Sequence, residues 1–263
     1  MKLKHFYHIF ADGHWQQPFT EHIQALNESG LMEALDFIGV GIIGSDLNRK
    51  AVREALPPNF VVVVEAQRGW EQITLESIDL SEPAKIFYAH TKGASNPDSL
   101  RILWRQSMTN GCVYGWKICV DVLDKGYSAV GCYWRDSPQQ HFSGTFWWTT
   151  TEYLKTLPMP ILRHTRFDAE MWIGKGPRGS RMADLCPGPV HRLNVMRKPD
   201  FEAASTPDEK GYVTFYSTSK IAGFARHVTH TARLTPFIQS CIDKGHFQVV
   251  GRDNGKVKTF LLR

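Results

Sequence analysis

Two periods of hydrophobic and polar positions alternate along the first ninety residues. Lys4 to Phe10 is dense in aromatic residues and isoleucine and predicts a strand, broken by Ala-Asp-Gly-His-Trp. From Trp15 to Ser29, Phe19, Ile23 and Leu26 recur at helical spacing and Gly30 supplies the stop, so a helix is expected. Asp36 to Ile43 reads as a second strand ended by Gly44, and Ser45 is a good N-cap for a helix that runs to Leu56 and closes at Pro57-Pro58. Phe60 to Ala66 is almost continuously apolar, as a strand covered on both faces would be. A short helix from Trp70 to Ile78 and a strand from Lys85 to His90 complete a β-α-β-α-β-α-β series. That series predicts an α/β fold with a doubly wound, mostly parallel sheet. Ligands of such sheets sit beyond the carboxyl ends of the strands, which directs attention to residues 10–14, 44–46, 66–68 and 90–95.

The pattern is less regular afterwards. Ser99 to Asn110 and Val113 to Lys125 read as two helices parted by Gly111. Tyr127 to Trp134 and His141 to Thr149 read as strands, and Thr151 to Leu157 as a short helix before Pro158 and Pro160. Lys175 to Pro189 is rich in Gly and Pro and predicts a loop or lid. Lys198 to Lys210 is polar and reads as a linker between a main domain, 1–197, and a small domain, 211–263. In the latter, Ser219 to Thr229 and Leu234 to Lys244 are candidate helices, and Asn254-Gly255 marks the turn of a β-hairpin. This small α+β outline is winged-helix-like.

Charge changes the picture of that second domain. The net charge is +5, yet from Gly211 onward eight Lys and Arg face only two Asp, so the excess belongs to the tail and the rest is near neutral. Such a basic module suits an anionic partner, nucleic acid among them. Composition is otherwise that of a globular chain, with 42% hydrophobic and 22% charged residues. No apolar run approaches the length of a membrane span, and no N-terminal signal pattern is present. Five scattered cysteines without a paired spacing predict reduced thiols and a cytoplasmic location.

The candidate chemistry lies in four segments: Phe-Tyr-Ala-His-Thr-Lys-Gly-Ala-Ser at 87–95, Trp-Arg-Gln-Ser-Met at 104–108, His-Phe-Ser-Gly-Thr-Phe-Trp-Trp-Thr at 141–149, and Arg-Phe-Asp-Ala-Glu-Met-Trp-Ile-Gly at 166–174. Lys92 is a point charge suited to a diphosphate, and Gly93 lets the backbone approach a ligand. Asp168 and Glu170, two apart, share one side if the segment is a strand, and either carboxylate is of the type that takes a proton from an attacking hydroxyl. In a strand, Trp147 and Trp148 face opposite sides, so at most one of them meets a ligand.

The order of these segments resembles a group of bacterial and phage glycosyltransferase-like proteins with a GT-A type, Rossmann-like nucleotide-diphospho-sugar transferase fold, over residues 1 to 175. The resemblance implies a glycosyltransferase that moves a sugar from a nucleotide-sugar donor, with a UDP-sugar first among candidates. The donor would lie near Phe10, Ala11, Asp12, Gly44, Asp46 and Glu65, with His90, Thr91, Lys92 and Gly93 at the diphosphate. Ser143, Gly144, Trp147, Trp148 and Trp172 would hold sugar rings, and Glu170 would be the base with Asp168 in reserve. Many GT-A enzymes bind Mn²⁺ or Mg²⁺ through Asp-x-Asp, which is absent from this chain, so metal dependence is left open, with His191 as one candidate contact. The acceptor would be a glycan, a protein hydroxyl or a hydroxylated base of phage DNA, the last placing the protein in the host cytoplasm. The alternative is a nucleic-acid-binding protein whose α/β domain is a non-catalytic scaffold.

Overall fold

The computed structural model describes residues 1–186 throughout and, beyond them, the strands 212–215, 230–233, 247–253 and 256–262. The chain divides into two units, Met1–Leu185 and Cys186–Arg263. The expected linker at 198–210, both expected C-terminal helices and His191 lie outside the described residues.

The first unit is a seven-stranded sheet with helices on both faces. In chain order it comprises β1 (Lys2–Phe10), α1 (Gln16–Glu28), α2 (Leu31–Ala34), β2 (Phe37–Ile43), α3 (Asp46–Ala55), β3 (Phe60–Ala66), α4 (Gln72–Glu76) and β4 (Ala84–His90). There follow α5 (Ser99–Thr109), a π-helical turn (Asn110–Tyr114), α6 (Trp116–Asp124), β5 (Ala129–Gly131), β6 (Trp134–Arg135), β7 (His141–Phe142), β8 (Trp147–Thr150), α7 (Thr151–Leu154), α8 (Phe167–Trp172) and β9 (Met182–Asp184). The sheet order is β3-β2-β1-β4-β8-β5-β9. Every neighbouring pair runs parallel except the two that flank β8, which is antiparallel to both β4 and β5. The fold is therefore α/β with a mostly parallel sheet, as the alternating pattern predicts.

Pleating sorts the side chains of the central strands onto two layers. Phe6, Ile86, Tyr88 and Trp147 join Leu75, Tyr153, Leu154 and Trp172 in one core under α4, α7 and α8. On the other face Tyr7 stacks on His22 of α1 with centroids 4.2 Å apart, and Phe87 stacks on Trp148 at 5.0 Å. With both faces covered, the inner strands are apolar almost throughout: six of the seven residues of β2 are buried.

Several expectations need correction. Gly111 does not break a helix; it lies inside the π-helical turn that links α5 to α6, and a side chain there would run into Cys132 Sγ. The strand expected over 127–134 splits into β5 and β6, because Tyr133 adopts a left-handed backbone. The segment 166–174 is helical, not extended: Asp168 Oδ2 accepts the Thr165 N–H at 2.7 Å at the start of α8. The expected loop 175–189 contributes β9, which pairs with β5. Ser45 stands at the N-cap of α3 without capping it by its own side chain; its N–H and hydroxyl turn instead to Asp12 Oδ1, at 2.8 and 2.9 Å.

In the second unit, β10 (Tyr212–Phe215) pairs antiparallel with β11 (His230–Arg233). β12 (Phe247–Asp253) pairs antiparallel with β13 (Lys256–Leu262), and Asp253 opposite Lys256 brackets Asn254-Gly255 as the hairpin signal requires.

Candidate functional site

The reversed strand β8 builds the site. Its pairing sets Tyr88 opposite Trp147, so the turn that leads into β8 arrives beside the carboxyl end of β4. That turn is Ser143-Gly144-Thr145. Gly144 has φ 98° and Thr145 φ 58°, two successive left-handed residues, and a Cβ on Gly144 would lie 2.5 Å from Met108 Sδ. The Gly144 peptide is held from both sides. His90 Nε2 meets its carbonyl oxygen at 3.0 Å, and its N–H donates to Glu170 Oε1 at 2.5 Å. Since a carbonyl only accepts, His90 carries its proton on Nε2.

Around this clamp stand titratable groups from several elements. Glu71, just before α4, lies with Oε1 3.3 Å from His90 Nδ1, and its Oε2 accepts the Tyr88 hydroxyl at 3.1 Å. The two side chains are 19% and 14% exposed, enough to reach solvent. Burial and the neighbouring Lys92 charge push His90 down to about 3, so its ring is neutral at physiological pH. Burial raises the Glu71 carboxyl above its usual range, and the Glu170 charge adds to this. His8 of β1, held by Thr74 Oγ1 at 2.7 Å, is pushed down by burial to about 4. Lys92 sits with Nζ 3.8 Å above the Trp104 ring, half-buried. Burial lowers its pKa, while Glu170 and Glu71 oppose the shift. Its carbonyl accepts from Arg105, which in turn pairs with Glu21 at 2.8 Å, so the loop after β4 is tied to α1.

The structure thus brings His90, Lys92, Gly144 and Glu170 together. Thr91 is buried beside them, its hydroxyl accepting the Phe10 N–H at 3.0 Å, and Gly93, with φ 89°, turns the chain back over Arg105. Ser143 is half-buried and its N–H donates to Tyr133.

Other expected site residues serve the fold. Trp147, Trp148 and Trp172 are core residues, at most 2% exposed, so no sugar ring can lie on them. Trp148 Nε1 donates to Cys112 O and Trp172 Nε1 to Pro158 O, as buried indoles require. Asp168 and Glu170 diverge, because two residues on a helix are about 200° apart. At the neighbouring strand ends, Ala11 is buried and its N–H is taken by Ile43 O. The N–H of Gly44 donates to Ala66 O. Asp12 ties down the start of α3: hydrogen bonds from the Asn48 side chain and from Ser45 hold its carboxyl below the usual range. Asp46 pairs with Arg49, and Glu65 with Arg49 and Arg53.

Glu71, Tyr88, His8 and Trp104 were not expected as site residues. Trp104 stands in the quoted Trp-Arg pair. Glu71 lies three residues beyond the segment 66–68 that the strand-end rule singles out, and the packing of α4 on β1 and β2 brings it in.

Among the described residues no group of three or more His, Cys, Asp or Glu side chains is arranged to hold a metal ion, and no helix is long and apolar enough to cross a membrane.

The model of one protein family, described as Domain of unknown function (DUF8361), matches residues 6–172. The chain belongs to this family. Every residue of the clamp, from His8 to Glu170, falls inside the DUF8361 span. No curated protein matches the chain. Among solved structures, the crystal structure of Rv0371c from Mycobacterium tuberculosis H37Rv is similar at 13% identity and a TM-score of 0.39, over 72% of this chain and 91% of that one. The crystal structure of the Rv0371C complex with manganese is similar at 15% identity and a TM-score of 0.38, over the same shares. Likeness at that level carries no argument about this chain.

Proposed function

We propose that the chain is a glycosyltransferase that moves a sugar from a nucleotide-sugar donor to an acceptor hydroxyl. The observation that carries this reading is the convergence of Lys92, Glu71 and Glu170 beside the carboxyl end of β4. Lys92 is the cation for a leaving diphosphate, whose charge grows as the sugar bond breaks, so a cation fixed there favours the transition state over the ground state. Its partner contacts support this role. Among the described residues it has no ion pair and rests on the Trp104 ring, so its charge is not already neutralised by a bonded carboxylate. The carboxylates supply the group that accepts the hydroxyl proton. Among the described residues those around Lys92 form no group of three or more metal-type side chains. With Trp147, Trp148 and Trp172 in the core, Trp70, 44% exposed and adjacent to Glu71 in the chain, becomes the flat ring open to a sugar. A glycan, a protein hydroxyl or a modified base of DNA each fits as acceptor, the last favoured by the basic residues beyond Gly211.

The test is thermal melting of the full chain with UDP-glucose, UDP-N-acetylglucosamine and GDP-mannose, with and without Mn²⁺, followed by assay of donor hydrolysis. A ligand-dependent rise in Tm that Lys92→Ala abolishes is expected. No shift with any of them removes the reading.

A further inference from the structure

We propose that Glu71 is the proton-accepting carboxylate of this site and that Glu170 is a positioning residue that holds the Gly144 turn. The inference rests on the glycosyl-transfer reading and assigns its acid–base chemistry to a residue other than the one the sequence pattern suggests.

The two carboxylates are engaged differently. Glu170 spends Oε1 on a 2.5 Å bond from the Gly144 N–H. That bond fixes the carboxylate as part of the turn. The turn needs such a hold, since Gly144 and Thr145 both sit in the left-handed region and no β-ladder contact secures them. Glu71 is oriented rather than consumed. Tyr88 fixes Oε2, and Oε1 faces the Nδ1 of a histidine whose only ring proton is committed to the Gly144 carbonyl. Neutral His90 therefore presents a lone pair to Oε1. A proton arriving on Glu71 has a waiting acceptor at 3.3 Å, which a carboxylate alone would lack.

The groups facing Glu71 are His8 from β1, Tyr88 and His90 from β4, Lys92 from the following loop and Glu170 from α8. Of these, burial and Glu170 push its proton affinity up, toward the range in which a general base works best, while His8, Lys92 and Tyr88 oppose this. In the reaction, the acceptor oxygen forms a bond to the anomeric carbon as the bond from that carbon to the diphosphate oxygen breaks. The electron pair leaves with the nucleoside diphosphate, and the acceptor's proton passes to Glu71 Oε1.

The experiment compares the full chain with Glu71→Gln, Glu71→Asp and Glu170→Gln, using UDP-glucose as donor and water as acceptor. Turnover, KM and UDP affinity are measured between pH 5 and 9. Glu71→Gln is expected to lose at least about 100-fold in turnover together with the acid limb of the pH profile, with UDP affinity within about threefold of the parent. Glu71→Asp recovers part of the turnover and keeps the limb. Glu170→Gln raises KM and keeps the limb. Retention of the limb in Glu71→Gln, or its loss in Glu170→Gln instead, overturns the assignment. An infrared titration separates this from failure of the broader reading. The protonated-carboxyl band that disappears in Glu71→Gln is expected to titrate above the ordinary glutamate range whether or not UDP-glucose is turned over. A Glu71 fully ionised down to pH 5 overturns the inference by itself. An unresponsive donor with an elevated Glu71 titration overturns the glycosyl-transfer reading and leaves an acid–base group in search of another substrate.

Discussion

Lys92 and the paired histidines His5 and His22 show opposite uses of burial by single side chains. A desolvated ammonium is destabilising, so Lys92→Met is expected to leave Tm unchanged or higher while lowering UDP affinity tenfold or more by calorimetry. Because its folded pKa lies below that of a free lysine, the unfolded chain binds the extra proton, and the Lys92 contribution to stability rises with pH between the lowered value and 10.5. His5 and His22 lie on the other face of the sheet, Nε2 to Nε2 at 2.8 Å, with His5 also bonded to Phe87 O. Burial pushes His5 down to about 4 and His22 well below its usual range. Both are neutral in the fold and protonate readily once unfolded, so stability is full above the unfolded value near 6.5 and falls as pH drops below it. The slope for His5 is on the order of 1 kcal/mol per pH unit down to about 4. Acid titration of the melting temperature checks this, and His22→Phe is expected to flatten it.

Elements differ in how much of them a sequence reveals, and the difference is physical. β1 to β4 and α1, α3 and α4 stand where the pattern puts them because each is bounded by Gly, Pro or a cap, but β3, expected to be covered on both faces, is a half-buried edge strand, and α2 is a short turn of helix that the pattern does not announce. Residues 127–150 escape it. Their strands are two to four residues long, too short for a period, and their path depends on Tyr133 and Thr145 taking a left-handed backbone that no residue type announces. The six residues of α8 mislead for a related reason: Phe-Asp-Ala-Glu-Met-Trp alternates apolar and polar over so short a span that strand and helix give the same signal. The candidate site was legible on β4, where a strand end meets His-Thr-Lys-Gly. It was not legible at Glu71, which joins His90 only through the packing of α4 on β1 and β2. Two substitutions probe these elements. Gly144→Ala forces a Cβ against Met108 and strains a left-handed residue, so a loss of about 1–3 kcal/mol by denaturant melts is expected, with donor turnover lost as the clamp opens. Thr74→Val removes the partner of buried His8 Nδ1, at a cost of about 1–3 kcal/mol in the same assay.

On the scale of the molecule, the first unit carries its own sheet, both covering layers and the whole clamp. Met1–Leu185 produced alone is therefore expected to unfold cooperatively, as a single calorimetric transition. The net positive charge lies in the second unit, so retention of the full chain on duplex DNA is expected to fall steeply with salt and to vanish for Met1–Leu185. A salt-insensitive affinity, or one the shorter chain keeps, argues against DNA as the acceptor. Among the described residues the sheet ends at β3, with no further strand paired to its outer edge, and Val61 there is 48% exposed. A valine-rich rim of this kind invites a foreign strand to zip onto it. What discourages recruitment is a slip in pairing between Val40 and Gly41, which skews the rim, and the Arg49–Glu65–Arg53 fence across its far end. Arg49 and Arg53 thus hold Glu65 and set fixed charge beside the valines of that rim, and replacing both with Ala is expected to speed thioflavin-T-positive assembly of the chain in a concentration series.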